Sequence, residues 1–187
     1  MIYETPILET ERLIMKRGNK SDYQRVYEYD FTKLRNVNNE FEFVKLDENE
    51  IKDWHIPYDN SYDWIVYLKD TNIPIANIVA DRELKQINSI ELAFNTHPSY
   101  WRKGYTFEAL VAIINFLFEQ GYDNLICCYD EGNINSKNFG EKLGFIPYDA
   151  SNKIWEKDGV KITSYATILS RTAYKKSYKL NWLINKN

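Results

Sequence analysis

A chain of 187 residues with 44% hydrophobic and 27% charged residues can bury a sizeable core, so we expect one soluble globular domain. The formal net charge of -3 argues against direct nucleic-acid binding, which needs a basic surface. No stretch is long and uncharged enough to span a membrane, and the first residues lack the character of a signal peptide. Cys127 and Cys128 are neighbours, which disfavours a disulfide between them and gives no metal-ligand spacing. We therefore expect a reduced, cytoplasmic protein that binds no metal.

The first half of the chain predicts strands and two short helices. Ser21-Asp22 offers an N-cap for a helix that runs through Tyr23, Val26 and Tyr27. A second helix is expected around Glu48–Trp54. Strands are expected in the second half of Leu8–Arg17 and at Trp64–Leu68, Ile73–Ala80 and Ser89–Thr96.

The second half predicts longer elements. An apolar helix is expected from about Phe107 to Gln120, and Gly121 supplies its left-handed stop. A buried strand at Asn124–Tyr129 precedes a short helix that Asn133 and Ser136 introduce and that ends at Leu143-Gly144-Phe145. A hairpin then pairs Lys153–Glu156 with Val160–Leu169 across an Asp-Gly turn. This order predicts an α/β (α+β) fold with an antiparallel first half and one or two βα crossovers.

The segment from Tyr100 to Leu110 carries the strongest functional signal. It places a glycine and two basic residues between a strand and a helix start, where backbone N–H groups have no helical partner and the helix dipole favours an anion. Gly104 allows close approach of the backbone, while Arg102 and Lys103 can add charge-assisted hydrogen bonds. The segment is therefore predicted to hold a phosphate group.

Four segments together resemble the GNAT N-acetyltransferase superfamily, and within it the branch of ribosomal-protein N-terminal acetyltransferases. Leu8–Arg17, with its Thr-Glu-Arg-Leu core, resembles the opening strand of that branch. Glu91–Pro98 is similar to the strand that splays from its neighbour, and Trp101–Leu110 is similar to the acetyl-CoA pyrophosphate loop and helix. Asp130–Phe145 resembles the second coenzyme-contacting segment. The resemblance implies the GNAT fold, a mixed central sheet with splayed middle strands flanked by helices, and acetyl-CoA as co-substrate without a metal.

The resemblance also assigns roles to residues. In the family loop, [Q/R]-x-x-G-x-[G/A], Trp101 takes the first place and Thr106 stands where Gly or Ala is usual. A β-branched Thr106 either narrows the approach of the phosphates or bonds one of them. Asn133 would bond the pantetheine and Ser136 would lie near the thioester sulfur. The implied coenzyme-binding residues are Phe94, Asn95, Thr96, Trp101, Arg102, Lys103, Gly104, Tyr105, Thr106, Phe107, Asn133 and Ser136.

The chemistry of acetyl transfer adds two candidate catalytic residues. An amine attacks a thioester only in its neutral form, so a carboxylate base or a water chain is useful. Glu91 has the best position for that base, and Ser136 could protonate the leaving thiolate directly or through water. Many family members carry a tyrosine before the Glu-Lys-Leu-Gly-Phe ending, where this chain has Gly140.

Each assignment has a structural alternative. Arg102 and Lys103 could instead be a solvated basic pair. Glu91 could instead lie on an exposed strand edge or be a salt-bridge partner. Asn133 is also a good N-cap, and Ser136 could satisfy only a local backbone group. At the level of the whole protein, the alternatives are a non-catalytic acyl-CoA-binding module and an interaction domain without the coenzyme.

The acceptor is less well defined. The superfamily binds it between the first two helices and on the last hairpin, here about Phe31–Tyr62 and Ile154–Tyr165. The acidic character of the first segment suits a cationic amine such as a peptide N-terminus, a polyamine or an aminoglycoside, or is only a solvated face. We expect a GNAT domain over residues 1–170 and a basic extension over 171–187, which either packs on the domain or mediates a homodimer.

Overall fold

The computed structural model describes residues 3–28, 61–157 and 159–176. The predicted helix at Glu48–Trp54 lies outside these residues. The chain divides into two compact units: Met1–Asp81 with Ala93–Ile113, and Arg82–Leu92 with Ile114–Asn187. The predicted single domain over residues 1–170 stays a prediction.

Antiparallel strands form the sheet of the first unit. The strands are β1 (Leu8–Glu9), β2 (Leu13–Lys16), β3 (Tyr62–Leu68) and β4 (Pro74–Leu84), and each pairs with the next in chain order. Strand β4 runs four residues beyond the predicted end at Ala80. The prediction stopped there because burial ends at Ala80, and the exposed residues that follow carry no apolar pattern.

Helix α1 (Lys20–Tyr27) buries Tyr23, Val26 and Tyr27 as predicted, but its predicted N-cap is wrong. Asn19 is the N-cap: its Oδ1 accepts from the N–H groups of Ser21 and Asp22, and the Asp22 carboxylate accepts from the Asn19 N–H. Ser21 and Asp22 therefore lie inside the helix, because the capping box begins two residues earlier than Ser21.

The chain contains a βα crossover. Strand β5 (Ser89–Thr96) pairs in parallel with β6 (Asn124–Asp130) from Ser89–Asn124 to Leu92–Cys127, and the chain between them includes α2 (Tyr105–Glu119). Parallel neighbours need such a crossover. Strand β5 continues through Thr96 beyond its last pair with β6.

Antiparallel pairing completes the second unit. Strand β9 (Val160–Ser170) pairs with β6, with β7 (Ile146–Pro147) and with β8 (Lys153–Lys157). Helix α3 (Ile134–Leu143) begins after Asn133 and ends at Gly144, which has a φ of 95°. Parallel and antiparallel pairs thus occur together with helices, which confirms the predicted α+β class.

Helix α2 supplies much of the buried apolar surface. Its fully buried residues are Ala109, Leu110, Ile113, Ile114 and Leu117. Gly121 follows it with a φ of 104°, as predicted for a left-handed stop. Within the described ranges, no helix combines the length and apolarity that crossing a membrane requires.

The start of the predicted C-terminal extension packs in the second unit. Residues 171–176 form a short helix in which Tyr174 is buried, with its ring 5.5 Å from that of Phe118. The Arg171 guanidinium donates to the Tyr122 carbonyl. The remainder, 177–187, lies outside the described residues.

Candidate coenzyme site

The loop before α2 has the backbone geometry of an anion site. Gly104 has a φ of 79° and is followed directly by the helical Tyr105. A left-handed residue followed by a right-handed one directs successive N–H groups into one concavity, which binds anions. The Gly104 carbonyl is the first acceptor of the helix and takes the Glu108 N–H at 3.0 Å, so the N–H groups of Tyr105 and Thr106 have no acceptor one turn back.

Two further features of the loop suit a phosphate. Arg102 also has a left-handed φ, 59°, an uncommon conformation for a residue with a side chain. Arg102 and Lys103 are exposed, and the Lys103 ammonium lies 5.3 Å from the Tyr100 ring centroid. Backbone donors and exposed cations are the donor set that a pyrophosphate needs.

Trp101 anchors the loop to the end of β5. Its indole Nε1 donates to the Thr96 carbonyl at 2.6 Å, and its backbone N–H donates to the Pro98 carbonyl at 3.1 Å. The indole N–H is therefore engaged with the strand.

Thr106 contacts the same strand. Its hydroxyl lies 2.7 Å from the Thr96 hydroxyl, and Thr96 is 8% exposed. Phe94 and Asn95, which precede Thr96 on β5, are half-buried, as is Phe107 in the first turn of α2. The first unit thus brings Thr96 together with the loop residues that the sequence predicted.

Arg12 is a residue to which the sequence reasoning gave no role. Its Nε and Nη2 each lie 2.6 Å from Glu108 Oε2, and its Nη1 donates to the Lys103 carbonyl at 3.2 Å. Its guanidinium carbon also lies 4.6 Å from the Tyr105 ring centroid. One side chain therefore contacts both the loop and the first turn of α2.

The other oxygen of Glu108 is also bonded to the opening segment. Oε1 accepts from Thr10 Oγ1 at 2.5 Å and from the Arg12 backbone N–H at 3.0 Å. Burial raises the pKa of Glu108, but these hydrogen bonds and the Arg12 charge outweigh it, so the pKa lies below its ordinary value. No local signal in the sequence reports this pairing, because Arg12 and Glu108 lie 96 residues apart.

In the second unit Glu91 lies between two cations. Its Oε2 is 3.1 Å from Lys153 Nζ and its Oε1 is 3.9 Å from Arg82 Nη1, while its side chain is 17% exposed. The Cys128 thiol also hydrogen-bonds this carboxylate; burial first, then the Glu91 charge, raises the pKa of Cys128 to about 11. The salt-bridge alternative for Glu91 is thus present in the structure, alongside any role as a base.

Asn133 and Ser136 lie together at the start of α3. The Asn133 Oδ1 accepts the Ser136 N–H at 3.0 Å, so Asn133 caps the helix and keeps its amide NH2 as a donor. Both residues are half-buried. Gly140, where a tyrosine is usual in the family, is buried within the same helix. No group of three or more metal-ligating side chains is present among the described residues.

Comparisons with known proteins identify the family of the chain. The family described as acetyltransferase (GNAT) domain matches residues 12–146. An uncharacterized N-acetyltransferase of Bacillus subtilis (strain 168), YnaD, is 29% identical over 140 residues, which cover 73% of this chain and 81% of that protein.

Solved structures show the same fold. A GNAT-family acetyltransferase from Bacillus anthracis has a TM-score of 0.67 at 20% identity and covers 88% of this chain and 98% of its own. A ribosomal-protein-S5-alanine acetyltransferase from Vibrio fischeri has a TM-score of 0.63 at 15% identity, covering 90% and 98%. With the family match over most of its length, the chain belongs to the GNAT acetyltransferases and is an enzyme of that class.

Proposed function

We propose that this acetyltransferase moves an acetyl group from acetyl-CoA directly to a primary amine. The observation that carries the donor is the start of α2, where Gly104 turns the backbone so that the N–H groups of Tyr105 and Thr106 point toward one site. A pyrophosphate is the part of acetyl-CoA that such a site holds.

The remaining donor contacts follow the order of the chain. Loop residues 101–107 hold the pyrophosphate, and the backbone of Phe94–Thr96 runs along the pantetheine arm. The Asn133 amide NH2 bonds that arm, since its oxygen is already used in capping α3. Acetyl-CoA supplies the activated acyl group as a thioester. The Ser136 hydroxyl, in the first turn of α3, hydrogen-bonds the departing thiolate directly or through water and keeps its own proton.

Glu91 is the proposed base on the acceptor side. Its carboxylate holds a primary ammonium already, that of Lys153 at 3.1 Å. An acceptor amine of the same chemistry would replace Lys153 there, give its proton to Glu91 and become nucleophilic. The mostly buried carboxylate is thus a site for a cationic amine, which supports a peptide N-terminus or a small-molecule amine as acceptor.

Direct transfer is supported by the state of the two thiols. Burial raises the pKa of Cys127 to about 12 and that of Cys128 to about 11. A thiol that forms an acyl-enzyme needs a lowered pKa. We therefore assign no covalent intermediate to either cysteine. The cytoplasmic location and a homodimer remain predictions.

An acceptor screen by mass shift tests this function. The purified protein is incubated with acetyl-CoA and three separate groups: peptides with free N-termini, polyamines and aminoglycosides. We expect a mass gain of one acetyl group in at least one of the three classes of amine. This mass gain should be absent when acetyl-CoA is omitted. CoA binding without turnover on any amine would instead support the non-catalytic acyl-CoA-binding module. Thermal stabilisation by CoA excludes an interaction domain that has lost the coenzyme.

A further inference from the structure

In the first unit, the turn between β1 and β2 and the first turn of α2 are joined by a clasp made of Thr10, Arg12 and Glu108. Two donors of the Arg12 side chain meet Glu108 Oε2, and Thr10 Oγ1 and the Arg12 N–H meet Oε1. The contacts link residues almost one hundred positions apart in sequence, so they fix the first turn of α2 against the turn between β1 and β2.

The same guanidinium also reaches the loop itself. Its Nη1 donates to the Lys103 carbonyl, and a Cβ on Gly104 would lie 3.5 Å from its Nη2. Lys103 lies between the two left-handed residues Arg102 and Gly104, so this bond fixes the carbonyl orientation in the middle of the turn. Left-handed backbone at a residue with a side chain is costly and needs support from its surroundings.

Charge gives a second reason for the clasp. Glu108 is a carboxylate one turn inside the helix whose N-terminus would hold a phosphate group, and an unpaired negative charge there would repel the ligand. Arg12 neutralises the Glu108 charge, and the Arg12 side chain is 44% exposed. Removing Arg12 would thus both release the Lys103 carbonyl and expose the Glu108 charge.

We propose that Arg12 is a positioning residue for coenzyme binding, which holds the phosphate loop in its anion-binding form through Lys103 and Glu108. The inference rests on the proposed acetyl-CoA donor and adds to it a residue outside the loop. Arg12 acts on the ligand through the loop backbone, so its effect is confined to the phosphate-bearing part of the donor.

The test is the affinity of the full-length protein for CoA, measured by calorimetry well below the unfolding temperature of each variant. We expect Arg12→Met to weaken CoA binding by about tenfold or more. Arg12→Lys should lose less affinity, because lysine keeps the positive charge although it cannot make the two-donor contact of the guanidinium with Glu108. Lys69→Met is the matched control: it removes a cation of the same unit that pairs with Glu9 at 2.9 Å but keeps the backbone bond from the Lys69 N–H to the Arg12 carbonyl, and its affinity for CoA should be unchanged.

A double-mutant cycle separates positioning from simple destabilisation. Glu108→Gln alone should also weaken CoA binding, and the Arg12→Met/Glu108→Gln double variant should lose less than the product of the two single losses, because both act through one clasp. If the loss of affinity in the double variant equals the product of the two single losses, the inference is overturned. A Kd for Arg12→Met within twofold of wild type while its unfolding temperature falls would also overturn it, since a purely structural role predicts that pattern.

The two failures are distinguishable. A wild-type protein that does not bind CoA overturns the proposed donor and this inference together. A wild-type protein that binds CoA, but no more tightly than the Arg12→Met variant does, overturns only the role of Arg12.

Discussion

The hydroxyl of Thr106 is paired with the hydroxyl of Thr96, 2.7 Å away at the buried end of β5. The family loop carries Gly or Ala at position 106, and a β-branched residue there raised the question of whether the phosphates would be obstructed. Because its hydroxyl is held by the strand, the Thr106 side chain is directed toward β5. The two threonines thus form a matched pair that ties the first turn of α2 to the strand.

Replacing Thr106 with alanine should therefore change CoA affinity by less than about threefold, and lower the free energy of unfolding by about 1 kcal/mol for one lost hydrogen bond. Titration calorimetry and denaturant unfolding measure the two effects. Thr106→Val is the matched variant, since it keeps the branched shape and removes only the hydroxyl. An alanine variant that binds CoA ten times more tightly than wild type would show that the branch does obstruct the phosphates.

Gly104 tests whether the loop backbone holds the ligand. An alanine there must adopt a φ of 79°, which costs about 1–2 kcal/mol, while its Cβ would meet only Arg12 Nη2 at ordinary contact distance. We expect Gly104→Ala to weaken CoA binding at least several-fold, as read by CoA-dependent thermal shift. Gly121→Ala carries a comparable backbone strain, at a φ of 104° with no atom within 4 Å, and should lower stability while CoA affinity stays the same.

The sequence predicted this loop better than it predicted the loop's support. Gly104 beside basic residues is a local signal, as are the Asn133 cap and Gly144, and each lies where local patterns predicted. The helix begins at Tyr105, two residues before the predicted Phe107. The clasp of Arg12 with Glu108 is non-local, and no periodicity or turn chemistry reports a pair 96 residues apart.

The N-cap of α1 was misplaced for a different reason: Asn19, Ser21 and Asp22 are all good caps, and only the direction of their hydrogen bonds distinguishes them. Glu91 was located on β5, but its ion pair with Lys153 depends on strand pairing in the second unit.

Glu91 and Lys153 allow a paired test of the proposed base. Glu91→Gln and Lys153→Gln break the same ion pair, but only the first removes the carboxylate. We expect Glu91→Gln to lower kcat by about 10²-fold or more, the usual contribution of a general base, and Lys153→Gln to retain most of the activity. Initial rates with the acceptor found in the screen provide the measurement. Equal losses in the two variants would assign the pair a structural role.

The reactivity of the Cys128 thiol tests its contact with Glu91 without an enzyme assay. Burial and the neighbouring carboxylate raise the pKa of this thiol from 9.0 to about 11, so the thiolate fraction at pH 7.5 is about a hundredfold below that of an ordinary cysteine. Alkylation by iodoacetamide, followed by peptide mass spectrometry, should be correspondingly slow and should accelerate as the pH rises toward 11. Glu91→Gln should speed the reaction, because it removes the negative charge that opposes thiolate formation. An unchanged rate in that variant would mean that the thiol and the carboxylate are not in contact in solution.

Glu108 gives the clasp a defined pH dependence. Its pKa in the folded protein lies below the ordinary value of 4.5, because the hydrogen bonds from Thr10 and Arg12 together with the Arg12 charge outweigh the effect of burial. A carboxyl with a lowered folded-state pKa binds fewer protons when folded, so its stabilisation is complete above pH 4.5 and is lost as the pH falls through the folded value.

Denaturant unfolding should show Glu108→Gln less stable than wild type at pH 7, with the difference shrinking below about pH 4. Lys69→Met, which breaks the exposed pair with Glu9, should show a much smaller difference at pH 7. A gap between Glu108→Gln and wild type that stays constant from pH 7 to pH 3 would mean that the ionised carboxylate contributes nothing, and that the amide variant is less stable for reasons of shape alone.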